Sequence, residues 1–226
     1  MIKEQLQTIQ REIEEACKHA GRDASEVTLI AVSKTKPAEL VREAYDAGAR
    51  DFGENKVQEI LAKAPLFPED TRWHMIGHLQ RNKVHQVLSK VVLIHSVDSV
   101  RLAQEIQKEA EKQDLDVDIL LEINVAREES KHGFFLEEAE EAIRTISQFS
   151  RVHIKGLMTI APFVEDAEDN REIFQKLYQF SVDIVGKNID NVSMGVLSMG
   201  MSGDFRVAVE EGATMVRVGT SIFGAR

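Results

Sequence analysis

The chain has 226 residues, 43% hydrophobic and 29% charged, enough to bury a core and stay in solution. With 38 acidic against 28 basic side chains its net charge is −10, which excludes nucleic acid and anionic membrane as main partners, since both are bound through an excess of Lys and Arg. The single cysteine, Cys17, admits no internal disulfide, no run approaches the roughly 18 apolar residues of a membrane span, and the N-terminus lacks a signal-peptide core, so a cytoplasmic location is expected.

Taken in chain order, the first segment steps Ile2, Leu6, Ile9, Ile13, Cys17 by threes and fours, an amphipathic helix stopped by Gly21. Residues 27–33 then read as a strand and 37–46 as a helix with proline in its first turn. The alternation continues: strand 50–53 and helix 54–64, strand 73–76 and helix 79–88, strand 91–96 and helix 99–112. It goes on through strand 117–124 and helix 136–148, strand 153–159 and helix 169–185, and strand 192–197 and helix 204–211. The last strand is 215–218, followed by a short tail.

Eight strand-then-helix units after one leading helix imply an α/β fold with a parallel sheet. Eight units close as a (β/α)8 TIM barrel, a single domain over residues 1–226; a doubly wound open sheet is the alternative. In a barrel the functional groups gather at the carboxyl ends of the strands. Those positions hold Lys34, Lys36, Glu54, Asn55, Gly77, His78, Asn124, Met158, Thr159, residues 198–202 and residues 219–221. The set is rich in amines, hydroxyls and glycines and has no Cys/His spacing typical of a metal site, so no metal is expected.

The loops LSMGMSGDF and VRVGTSIFG follow the seventh and eighth strands, the usual phosphate position of this architecture. Glycine lets backbone approach a ligand, and N–H groups at a helix start attract an anion, so Ser198, Ser202, Gly219 and Thr220 are candidate phosphate holders. The plain alternative is a helix cap and a turn. In LIAVSKTKPAEL, Lys34 and Lys36 stand two apart, which in extended chain puts both on one side, at the barrel mouth. A lysine beside another cation loses basicity, and its neutral amine can attack a carbonyl; the alternative is two solvated lysines. A Schiff-base lysine facing a phosphate pocket suggests pyridoxal phosphate or a phosphosugar aldolase without cofactor. Arg217 shares a face with Gly219 and can reach the centre of the mouth; as a cation that keeps its proton it would leave a pyridine nitrogen unprotonated. The alternative for Arg217 is a core ion pair with an acid such as Glu122.

The segments AVSKTKP, FGENKVQE, WHMIGHLQRNK, HSVD, INVAREESKHGF, GLMTI, LSMGMSGDF and TMVRVGTSIFGAR occur in that order. Together they resemble the pyridoxal phosphate homeostasis proteins of the YggS/PROSC family over nearly the whole chain. The resemblance implies a barrel like the N-terminal domain of alanine racemase, with the extra N-terminal helix. It implies pyridoxal 5'-phosphate held on Lys34, its phosphate gripped by the serines of SMGMS and the Gly-Thr of RVGT, Arg217 facing the ring nitrogen, and Asn55 nearby. It further implies a carrier or buffer of vitamin B6 cofactor, in contact with pyridoxal phosphate-dependent apoenzymes, rather than an enzyme. The two tyrosines, Tyr45 and Tyr178, fall inside predicted helices, so no tyrosine stands ready as the second acid/base of a racemase; only Lys36 or His78 offers a substitute. A weak racemase or other α-carbon enzyme is the alternative, and a monomer is expected because the acidic helices show no strong apolar seam.

Overall fold

A computed structural model describes residues 1–129 and 131–224. Residue 130 and residues 225 and 226, which two of the quoted motifs include, lie outside the described residues. Eight parallel strands, β1 Thr28–Val32, β2 Asp51–Glu54, β3 Arg72–Met75, β4 Leu93–Val97, β5 Val117–Glu122, β6 Val152–Met158, β7 Val192–Met201 and β8 Met215–Val218, pair in chain order. β8 pairs back on β1, so the sheet closes as a barrel and the open-sheet alternative does not form. The helices are α1 Ile2–His19, α2 Ala38–Asp46, α3 Val57–Lys63, α4 Val84–Val87, α5 Val100–Gln113, α6 Leu136–Ile146, α7 Arg171–Val185, α8 Phe205–Glu210 and α9 Thr220–Phe223.

Because strands of such a barrel are covered on both faces, their residues divide between two cores. The outer core, between sheet and helices, takes Ala31, Phe52, Trp73, Ile94, Leu121, Leu157, Leu197 and Val216 with the inner stripes of the helices. A small inner core within the barrel consists of Leu93, Leu120 and Met158, backed by Ile160, Val196 and Met215. The leading helix has a structural purpose. Among the described residues only the four-residue α9 follows β8, and α1 packs against α8, α9 and α2, with Ile9, Ile13 and Cys17 buried, covering that flank.

Two departures from the sequence reading matter. Residues 79–88 form no continuous helix but two 3-10 turns around the four-residue α4, and no side chain caps it. β7 runs four residues past its expected end, through a register shift between Ser198 and Met201 against β8. It is ended by Asp204, whose Oδ1 accepts the Met201 N–H at 2.7 Å. The pairing of β6 with β7 relies on Gly156, where an added Cβ would lie 1.8 Å from the Val196 carbonyl oxygen.

Candidate functional site

A cavity of about 480 Å³ opens at the carboxyl ends of the strands. Lys34, Lys36, Asn55, Ser202, Arg217, Gly219 and Thr220 all line it, so seven of the eight residues singled out in the sequence converge on one space. The size suits a small cofactor rather than a macromolecule.

The segment after β1 is not extended, and this corrects the alternation argument for the two lysines. Residues 33–36 form a turn closed by the Lys36 N–H donating to the Ser33 carbonyl at 3.1 Å, with Thr35 at φ +64°. A β-branched residue in the left-handed region is uncommon and costs roughly 1–3 kcal/mol, so its surroundings must hold it. They do: the Thr35 N–H donates to Glu59 Oε1 at 2.6 Å. Beneath the turn Ser33 is fully buried, and its hydroxyl donates to Glu54 Oε1 at 2.6 Å. The turn brings both lysines to the cavity by curling rather than by strand alternation. Lys36 Nζ donates to the carbonyls of Phe223 and Gly224, at 3.1 and 3.0 Å, tying the turn to the end of α9.

The two glycine-containing loops meet as expected: the Gly219 N–H donates to Ser202 Oγ at 3.2 Å. Thr220 and Ser221 begin α9, so their N–H groups have no acceptor within the helix. Asp204 also borders the cavity, but its carboxylate is engaged by the Met201 N–H and by the Asn170 amide at 2.8 Å. Ser198 is the exception among the candidates. It lies inside the longer β7, has no exposed surface, does not line the cavity, and bonds to Arg217 and His95 instead. A phosphate role for Ser198 is therefore corrected to a place beneath Arg217. Glu54 and Asn124, also placed at the mouth by strand ends, are turned away: Glu54 into the core and Asn124 onto the backbone of Glu128.

Arg217 is 5% exposed. Its Nη1 donates to Ser198 Oγ at 2.6 Å and Nη2 to the Thr159 carbonyl at 2.8 Å. Burial lowers its pKa to about 10, against the pull of Asp204 and Glu122, so it remains a cation at neutral pH. The alternative of an Arg217–Glu122 ion pair does not form among the described residues. Glu122, last in β5, lines the cavity as a buried carboxyl, pushed up to about 7 by burial and by Asp98, while Arg217 and Lys131 oppose. Sequence reasoning gave it no role of its own, although its place at a strand end was a usable signal.

His78 and His132 border the cavity and share Asp98: His78 Nδ1 is 3.0 Å and His132 Nδ1 3.7 Å from Asp98 Oδ2. Among the described residues this is the one group with metal-like ligand spacing. The two rings are stacked, centroids 4.1 Å apart and planes within 16°. An imidazole binds a metal in its ring plane, and near-parallel planes do not converge on one ion, so this arrangement favours a shared carboxylate over a shared metal. His132 and Asp98 were missed because they come from different loops.

The alanine racemase N-terminal domain family matches residues 5–226. A pyridoxal phosphate homeostasis protein of Aquifex aeolicus is 45% identical over 224 residues, covering 99% of this chain and 97% of the relative. One of Escherichia coli K12 is 38% identical over 230 residues, covering 100% of this chain and 97% of the relative. PipY of Synechococcus elongatus, solved with pyridoxal phosphate bound, superposes with a TM-score of 0.86 at 35% identity, covering 99% of this chain and all of that one. The chain thus belongs to the alanine racemase N-terminal domain family, among its pyridoxal phosphate homeostasis proteins.

Proposed function

We propose that the cavity binds pyridoxal 5'-phosphate and that the protein carries or buffers this cofactor rather than turning over a substrate. The observation that carries the reading is the convergence of Lys34, Arg217 and the joined Ser202–Gly219 loops on one cavity of about 480 Å³. The donor set fits the group: an amine for the aldehyde, backbone N–H groups and hydroxyls for the phosphate, and a permanent cation for the ring nitrogen. Bound there, pyridoxal phosphate supplies an aldehyde that condenses with an amine. Lys34 gives the nitrogen, a C=N bond forms, and one water leaves. Ser202, Gly219 and Thr220 hold the phosphate, Arg217 faces the ring and Asn55 borders it. In this reading the partners are pyridoxal phosphate-dependent apoenzymes, and the protein works as a cytoplasmic monomer of one domain.

The test is reduction with sodium borohydride after addition of pyridoxal phosphate, followed by peptide mass mapping. The expected adduct is on Lys34, with none in Lys34→Ala. A protein that takes up no cofactor, or is labelled elsewhere, ends the reading.

Glu122 favours a second reading. A carboxyl lining the cavity and held at about 7 has the proton affinity suited to moving a proton at neutral pH, which would support weak exchange at the α-carbon of an amino acid. Exchange of α-hydrogen for solvent deuterium, faster than with free cofactor and lost in Glu122→Gln, would establish it.

A further inference from the structure

The barrel interior is divided. Besides the inner apolar core, a line of polar side chains runs from the amino-terminal rim to the cavity. Arg72 and Asp51, the first residues of β3 and β2, bond at 2.8 Å through Arg72 Nε and Asp51 Oδ1. Asp51 Oδ1 lies 3.0 Å from His74 Nε2, His74 Nδ1 3.0 Å from His95 Nε2, and His95 Nδ1 2.8 Å from Ser198 Oγ. Ser198 Oγ then receives Arg217 Nη1 at 2.6 Å. Asp51, His74, His95, Ser198 and Arg217 are all buried.

The donors assign the direction of every bond. Arginine only donates, so Ser198 Oγ accepts from Arg217; the buried hydroxyl's own proton also needs an acceptor, and of its two partners only His95 Nδ1 can take it. His95 then carries its proton on Nε2 and donates to His74 Nδ1. His74 in turn carries its proton on Nε2 and donates to Asp51. Burial works against the Asp51 carboxylate, but the hydrogen bonds from His74 and Arg72 win and hold it below the ordinary value, so an ionised acceptor ends the line. Both rings are neutral in this order and every group has a partner. A proton on His95 Nδ1 would leave the buried Ser198 hydroxyl proton without an acceptor; burial, with the charge of Arg217 nearby, pushes His95 well below its usual value.

We infer that Ser198, His95, His74 and Asp51 are positioning residues for Arg217. Their one-way chain fixes the guanidinium against the cavity through neutral contacts, with no carboxylate bonded to it among the described residues. Its charge is thereby left to act on the ring nitrogen of the bound ligand. The ligand's identity rests on the proposed function; the chain itself does not.

Two measurements test this. In ligand-free protein with 15N-labelled histidine, long-range ring correlations at neutral pH should show His74 and His95 neutral and protonated on Nε2. A proton on Nδ1 of either ring overturns the assignment. Next, Ser198→Ala and His95→Phe cut the chain, while His95→Gln keeps it, its oxygen facing Ser198 and its NH2 facing His74. Hydrogen bonds to charged groups are worth enough that each cut should weaken pyridoxal phosphate binding by about tenfold or more. Each cut should also move the pH profile of the bound ligand's absorption, and His95→Gln should restore both. Should His95→Phe not fold, Ser198→Ala, which deletes one oxygen, decides. Unchanged affinity and profile in Ser198→Ala sink the proposal. If the unaltered protein takes up no cofactor, the proposed function fails, while the tautomers still decide whether the chain is ordered as assigned.

Discussion

Lys63 Nζ lies 2.7 Å from Glu54 Oε1 and 2.8 Å from the Ser33 carbonyl, so a lysine of α3 pins the strand end from which Lys34 emerges. Burial pushes Glu54 up to about 7 against the pull of Lys63 and Ser33, and the pair is nearly closed to solvent. Removing one member of a buried pair leaves the other uncompensated, at a cost of roughly 3–5 kcal/mol. Lys63→Met is therefore expected to lower stability by that order in urea denaturation, and Lys63→Met combined with Glu54→Gln to recover most of it. A loss below about 1 kcal/mol in the single variant would show that the pair does not anchor this turn.

Thr35 tests the strain in the same turn. Glycine adopts φ +64° without penalty but gains freedom when unfolded, two effects of roughly 1 kcal/mol and opposite sign. Thr35→Gly is expected to leave stability within about 1 kcal/mol of the parent. Thr35→Pro removes the N–H that Glu59 accepts and forces φ to about −65°, so it should cost several times more. Equal denaturation midpoints for the two variants would mean that the turn is not held as described.

The barrel, and the meeting of seven candidate residues at its mouth, were legible because both rest on short-range pattern. Apolar runs broken by helix-periodic segments count out eight units, position at a strand end marks Lys34, Asn55 and Thr220, and the face shared with Gly219 marks Arg217. What was not legible depends on distance across the fold. Ser198 was placed in a loop because nothing local shows that β7 runs on to Met201; pairing of Met201 with Arg217 carries it there. His74, His95 and Asp51 stand on three strands, and only closure of the barrel lines them up. The curl at Thr35 was hidden for a related reason: threonine favours extended backbone, and the Glu59 carboxylate, 24 residues away, overrides that preference.

Glu122 should make stability depend on pH. Its folded-state pKa is raised from 4.5 to about 7, chiefly by burial. A raised pKa means that the folded protein binds the proton more tightly than the unfolded chain. The stabilisation is fully present below 4.5 and is lost as pH rises through about 7. Glu122→Gln removes this dependence. Between about pH 5 and about pH 8 the stability of Glu122→Gln should therefore improve relative to the parent by up to roughly 3 kcal/mol. Glu54 titrates in the same window but is common to both proteins and cancels. A parent-to-variant difference that stays constant over the range would mean that the carboxyl is not held up by its surroundings.

Lys36 is a tie between loops. Its ammonium donates to the carbonyls of Phe223 and Gly224, so it joins the turn that carries Lys34 to the far end of α9, whose first residues face the proposed phosphate. Charge–carbonyl bonds of this kind are worth enough that Lys36→Ala should weaken pyridoxal phosphate binding by about tenfold. Pyridoxal, which lacks the phosphate, should lose much less, because the effect acts through the position of α9. The borohydride adduct on Lys34 should still form once cofactor is in excess. If instead the charge of Lys36 acts on Lys34 directly, both ligands weaken alike and the pH profile of adduct formation moves. Comparing the two ligands in Lys36→Ala therefore separates a mechanical tie from a through-space charge, and an affinity unchanged for both would remove Lys36 from the site.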